Sequence, residues 1–120
     1  KNVICDRFDS STFAFQLFGE KHPELTKLFW DARTAVLGNN EPDAYIILDI
    51  PVEVAEKRRA GRKPQKDRFD EKDRAYQARV REGFKKFAKA IGKQAHIVNA
   101  NRTPKEVDAD AWNIAREVLG

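Results

Sequence analysis

YIILDI, residues Tyr45 to Ile50, is apolar on both faces until Asp49 and is dominated by β-branched and aromatic side chains. A strand of that composition is expected to be buried above and below, the environment of a parallel sheet wrapped by helices rather than of a sheet with one wet face. VIC (Val3 to Cys5) and HIVNA (His96 to Ala100) read as two further buried strands. The segments between them carry helical signals. Ser10 to Phe18 opens on serines suited to a helix start, and Pro23 stands at a first helical position. Leu25, Leu28, Phe29, Ala32 and Val36 follow at helical spacing, with Gly38 as a stop. Pro51 to Ala60 predicts a short helix ended by Gly61. Asp70 to Ile91 predicts a long one with Tyr76, Val80, Phe84, Phe87 and Ile91 on one stripe. Thr103-Pro104-Lys105-Glu106 combines a capping box with proline at the first helical position, opening a last helix that turns Val107, Ala111, Ile114 and Val118 inward. The alternation of strands and helices predicts an α/β fold with a narrow, three-stranded parallel sheet.

The chain has 120 residues, 41% of them hydrophobic, which suits one small globular domain over residues 1–120. Its single cysteine, Cys5, excludes an internal disulfide and reads as a buried strand thiol. With only His22 and His96 beside it, a Cys/His metal site is not expected. No apolar run reaches the length of a membrane span and no leader pattern opens the sequence, so a reducing, cytoplasmic setting is expected. The net charge of +4 favours an anionic partner. The densest positive segment is KRRAGRKPQKDR, Lys57 to Arg68, where Asp67 is the one acidic residue.

Open parallel sheets bind ligands beyond the carboxyl ends of their strands. Here those ends carry Asp6-Arg7, Asp49-Ile50 and Asn99-Ala100-Asn101-Arg102. Two readings of Asp6-Arg7 stand on the residues alone: a local ion pair, or a site in which the arginine fork grips a phosphate and the carboxylate orients hydrated Mg²⁺. Behind it Ser11, Thr12, Phe15 and Gln16 share a helical face able to meet a planar base. The basic segment likewise reads either as a solvated surface or as a loop that closes over a polyphosphate. DRFD occurs twice, at Asp6 to Asp9 and at Asp67 to Asp70, but the flanks differ and the copies are not a repeat.

DRFDSSTFAFQ, PDAYIILDIPVEVAEKRR, KDRFDEKD and HIVNANRTPKEV, in this order, resemble the C-terminal part of thymidylate kinase over nearly the whole chain. The resemblance implies a P-loop NTPase-like three-layer α/β/α fold, of which this chain would hold the last three strands and a lid at about 57–70. It implies transfer of the γ-phosphoryl group of ATP, with Mg²⁺, to dTMP. By the same resemblance Arg7 holds the acceptor phosphate, Asp6 lies near the phosphates and Mg²⁺ through water, Thr12 and Gln16 face the thymine beside Ser11, and Phe15 lies against the nucleoside, where many members have tyrosine. Arg62 and Arg68, with Arg7, are the implied catalytic cations. Arg58 and Lys66 are implied to reach the donor phosphates, and Asn101 and Arg102 to pass its adenine.

One departure is large. The phosphate-cradling pattern G-x-x-x-x-G-K-[ST] occurs nowhere in the 120 residues. The expectation is a piece of the enzyme, inactive alone, that needs an N-terminal P-loop segment. Alternatives are a related nucleoside or nucleotide kinase with another acceptor and, in a different class, a stand-alone basic module that binds nucleic acid or another anionic partner, supported only by net charge. The Leu25 to Val36 stripe either covers the sheet or offers a homodimer surface.

Overall fold

The computed structural model describes residues 1–62 and 71–120. α1 (Asp9–Thr12) runs into a π-helical segment (Phe13–Gly19); a 3₁₀ turn (Pro23–Leu25) leads into α2 (Thr26–Leu37). β1 (Tyr45–Asp49), α3 (Val52–Arg62), α4 (Glu71–Ile91), β2 (Ala95–Asn99) and α5 (Pro104–Leu119) complete the order. The strands are parallel, in register from Tyr45 opposite Ala95 to Asp49 opposite Asn99. No helix among the described residues is long and apolar enough to cross a membrane.

Among the described residues the sheet has two strands, not three. Val3 to Cys5 is irregular and exposed, with Val3 84% and Ile4 96% accessible, and the Cys5 thiol is exposed as well. A strand exists only where a neighbour accepts its ladder, and no described strand lies beside this run to do so. β1 is buried on one face only. Tyr45 and Ile47 enter the core, whereas Ile46 and Leu48 lie exposed with Ile97 of β2. Apolar composition on both faces announces two-sided burial, but only tertiary neighbours can supply it.

The buried face gathers Phe13, Leu17, Tyr45, Ile47, Phe87 and Ala88. Phe87 is the hub. It is 0% exposed and meets the rings of Phe13, Tyr45 and Trp30 at centroid distances of 5.6, 5.1 and 5.7 Å. The stripe expected on α4 packs as read, with Val80 and Phe87 buried and Tyr76, Phe84 and Ile91 half-buried. Gly83 lets α4 ride against the π-helical segment, since a Cβ there would lie 2.8 Å from the Ala14 Cα. The helix expected over Ser10 to Phe18 exists, but it starts at Asp9 with no side-chain cap, Ser10 being turned into the core, and it widens. Glu20 N donates to Phe15 O at 3.0 Å and His22 N to Leu17 O at 2.7 Å, the five-residue spacing of a π turn, and Phe13 and Phe18 come to 5.2 Å of each other.

α2 is rotated relative to the expected stripe. Leu25, Leu28, Ala32 and Val36 face solvent; Phe29, Trp30 and Leu37 are partly buried and Arg33 is buried. The inward side is set by the aromatic cluster on Phe13, not by the most regular spacing of aliphatic residues. Gly38 ends the helix as expected, at φ 53°. α3 continues through Gly61 to Arg62, so Lys57 to Arg62 is helix rather than lid loop. A glycine weakens a helix without stopping it where basic neighbours favour continuation. On α5, Thr103 Oγ1 accepts from Glu106 N at 3.2 Å and the Glu106 carboxylate accepts from Thr103 N at 3.3 Å, closing the capping box. Val107, Ala111 and Ile114 are half-buried there, whereas Val118 is exposed.

Candidate functional site

α4 runs antiparallel to β1, because Phe87 meets Tyr45 at the start of the strand while Arg81 reaches Asp49 at its end. That places the half of α4 around Arg81 beside the carboxyl ends of the strands. Phe15 stands edge-on to Phe84 at 5.9 Å and lies 6.5 Å from Tyr76, the two residues that straddle Arg81 along α4. The Arg7 guanidinium lies over the Phe15 ring, 5.2 Å from its centroid. Arg7 is thus brought to the level of the strand ends from a segment that is not itself a strand.

The Arg7 backbone is left-handed, with φ 63°. A residue with a Cβ is held in that region at a cost of order 1 kcal/mol, and such outliers gather at ligand sites. Cys5 Sγ donates to Arg7 O at 3.3 Å. Among the described residues Asp6 and Arg7 form no ion pair with each other, so the local pair is not what occupies them. Asp6, Arg7, Thr12 and Gln16 are exposed, Ser11 and Phe15 half-buried, and Ser10, Phe13, Ala14 and Leu17 turn to the core. The polar face read from the sequence is therefore the outward face, with Arg7 at one end and an aromatic ring between.

The strand ends are organised by arginines. Arg81 grips Asp49 with two hydrogen bonds, at 2.7 and 3.0 Å. Arg58 donates to the carbonyls of Ala100 and Arg102 at 3.0 and 3.1 Å, tying α3 to the loop after β2. Arg102 donates from Nε to Asn99 O at 3.0 Å and pairs with Asp110 of α5. Asn99 Oδ1 accepts from Asn101 N at 2.9 Å, and Ala100 N donates to Asp49 O at 2.7 Å. The loop carrying Asn101 and Arg102 is consequently stiff. A groove of about 520 Å³ opens beside it, lined by Asn99, Arg102, Asp110 and Asn113 among others. Arg62 belongs to α3, and Lys66, Arg68 and the second DRFD lie outside the described residues. Sequence reading did not single out Arg33, Arg79 or Arg81 as organisers. Each sits on a helix among many charges, and only its tertiary partner distinguishes it; Arg79, for instance, holds Gly19 O at 3.0 and 3.2 Å.

The Arg81 fork holds the Asp49 carboxyl below its ordinary value, against the opposing effect of burial, with a further contribution from Lys85. A carboxylate with a depressed folded pKa stabilises the fold above its unfolded pKa, near 3.9, and loses that contribution as pH falls through the folded value. Arg81→Met is therefore expected to destabilise the protein at neutral pH, and the gap between parent and variant should narrow once the pH drops below about 4. Urea unfolding at a series of pH values checks this. A gap that stays constant into acid would mean the pair carries no linkage.

A family model described as "Thymidylate kinase" matches residues 1–111. Curated relatives named thymidylate kinase include one from a Bradyrhizobium species, 34% identical over 120 residues, covering 98% of this chain and 52% of the relative. One from a Marinomonas species is 35% identical over 105 residues, covering 88% and 48% of the two chains. One from Symbiobacterium thermophilum is 35% identical over 120 residues, covering 99% and 54%. The chain spans about half the length of the curated relatives it matches.

Proposed function

Because this chain belongs to the thymidylate kinase family, we propose that it supplies the acceptor side and lid of an enzyme that transfers the γ-phosphoryl group of Mg²⁺-ATP to dTMP. The observation that carries this reading is Arg7, left-handed and laid against Phe15 at the end of an outward polar face. Arg7 would hold the dTMP phosphate through its planar fork, with Ser11, Thr12 and Gln16 along the thymine and Phe15 beneath the nucleoside. Such a reaction needs positioning and charge stabilisation rather than a covalent intermediate.

The residues fit the implied donor. Among the described residues no group of three His, Cys, Asp or Glu could hold a bare ion, but Mg²⁺ keeps several waters and needs only one or two carboxylates. Exposed Asp6 would meet that need through water. Bound Mg²⁺ would neutralise charge on the transferring phosphoryl group. The stiff loop at Asn101 and Arg102 offers main-chain groups to an adenine, with Arg58 holding its carbonyls, and Arg62, Lys66 and Arg68 would bring lid cations to the phosphates. A P-loop-bearing segment, of a P-loop NTPase-like fold, would complete the sheet. The exposed Ile46, Leu48 and Ile97 favour a covering segment there. Exposed Leu28 and Val36 on α2 favour a homodimer contact.

The test is product analysis of the full-length protein with ATP, Mg²⁺ and dTMP, beside the 120-residue chain. Formation of dTDP by the former and none by the latter is expected. Phosphorylation of thymidine but not of dTMP would overturn the acceptor assignment.

A further inference from the structure

Arg33 projects from α2 into a nearly closed site. Its side chain is 7% exposed, beside an Asp9 side chain that is 12% exposed. Nε donates to Asp9 Oδ2 at 2.5 Å, and the terminal nitrogens donate to Glu41 Oε1 at 2.7 Å and to Tyr45 Oη at 3.1 Å. The Tyr45 hydroxyl donates in turn to the Asp9 carboxylate at 2.9 and 3.0 Å. The guanidinium carbon lies 5.5 Å from the Trp30 ring centroid. Burial opposes the Arg33 charge, but the bonds to Tyr45, Asp9 and Glu41 outweigh it and keep the group protonated. Burial also pushes the Tyr45 hydroxyl up to about 12, with Arg33 opposing and Asp9 adding to the rise, so it remains a donor at neutral pH.

A buried ion pair is a poor device for stability alone, since apolar side chains of similar volume hold two helices together as well or better. What this one does is fix a point in space. Arg33 Nε and the Tyr45 hydroxyl both donate to Asp9, the last residue of the first DRFD and the first of α1, two residues beyond Arg7, while Glu41 accepts from another nitrogen of the same guanidinium. Phe15 takes the Arg7 guanidinium from the other side. The short span Arg7-Phe8-Asp9 is held at both ends, which is what a left-handed arginine requires to stay in place.

We propose that Arg33 is a positioning residue for the acceptor phosphate: backed by Glu41, Tyr45 and Trp30, it anchors Asp9 and so holds the turn that aims Arg7. This rests on the reading of Arg7 as the phosphate-binding arginine given above. The sequence alone could not join these residues, because Arg33 is separated from Asp9 by the whole π-helical segment and the following turn.

The experiment measures steady-state kinetics of the full-length enzyme with Arg33→Met and Tyr45→Phe. The second variant keeps the ring against Phe87 and removes only the hydroxyl, so it decides the matter if Arg33→Met does not fold. Arg33→Met is expected to raise KM for dTMP by about tenfold, and Tyr45→Phe by less, while KM for ATP stays within about twofold of the parent. A brace without a positioning role would lower the melting temperature and the active fraction yet leave KM for dTMP unmoved, and that result in the folded variants overturns the proposal. A parent enzyme that does not phosphorylate dTMP overturns the acceptor reading itself, and the positioning role with it. A parent that does so, with unmoved variants, overturns the positioning role alone.

Discussion

Arg7→Ala in the full-length enzyme is expected to lower kcat/KM for dTMP by about 10²–10³-fold, the loss typical of removing one preorganised charge-stabilising donor. On the proposed reading the alanine variant would lose a two-pronged, charge-assisted grip that no neighbour replaces, since the other described arginines near the strand ends already hold Asp49 or main-chain carbonyls. Folding should be little affected, because Arg7 is exposed and its left-handed backbone is itself a small cost that any other side chain would share. Arg7→Lys should recover only part of the activity, because an ammonium carries the charge without the planar fork. Initial rates over a range of dTMP at saturating ATP measure this. A kcat/KM within about threefold of the parent would remove Arg7 from the phosphate site.

The largest expected effect on stability comes from Phe87→Ala, at about 3–5 kcal/mol. Phe87 is fully buried, and its ring is shared by three elements: Phe13 from the π-helical segment, Trp30 stacked upon it from α2, and Tyr45 from β1. Truncation leaves a cavity that these aromatic side chains cannot close by changing rotamer without moving their helices. Phe87→Leu, which refills most of the volume, should cost much less. Urea unfolding of parent and variants compares them. Equal stability of parent and alanine variant would mean that the aromatic cluster is not the fold's hub.

The two residues illustrate how differently a site and a core reveal themselves in a sequence. Phe87 was readable because helical periodicity imposes a stripe, and the burial of that stripe follows from the hydrophobic effect with little reference to detail. Arg7 was readable because an Asp-Arg pair directly after an apolar run stands out, and because the surrounding motifs resemble a family. Its strained backbone, its seat on Phe15 and the clamp through Asp9 had no sequence signal at all.

The failures have a common cause. Val3 to Cys5 and the outer face of β1 are apolar, and local composition asks for burial that depends on partners elsewhere; where no described element covers them they lie open. On α2 the expected stripe is exposed apart from Phe29, because the aromatic cluster captured the neighbouring face. Gly61, a local stop signal, was overridden within α3.

What the sequence by itself determined is therefore the alternation of strands and helices from Tyr45 onward, the Gly38 stop of α2 and the capping box of α5, the core stripe of α4 and the family, all of which rest on short-range chemistry or on motif order. Only the tertiary structure decided which face of α2 is buried, that the helix after Arg7 widens into a π turn, and that Arg33, Arg58 and Arg81 act as fasteners at the site. The reason is physical: a guanidinium is equally at home in water on any helix surface, and it becomes a structural part only when a particular carboxylate or carbonyl is brought within three ångströms of it by the packing of distant segments.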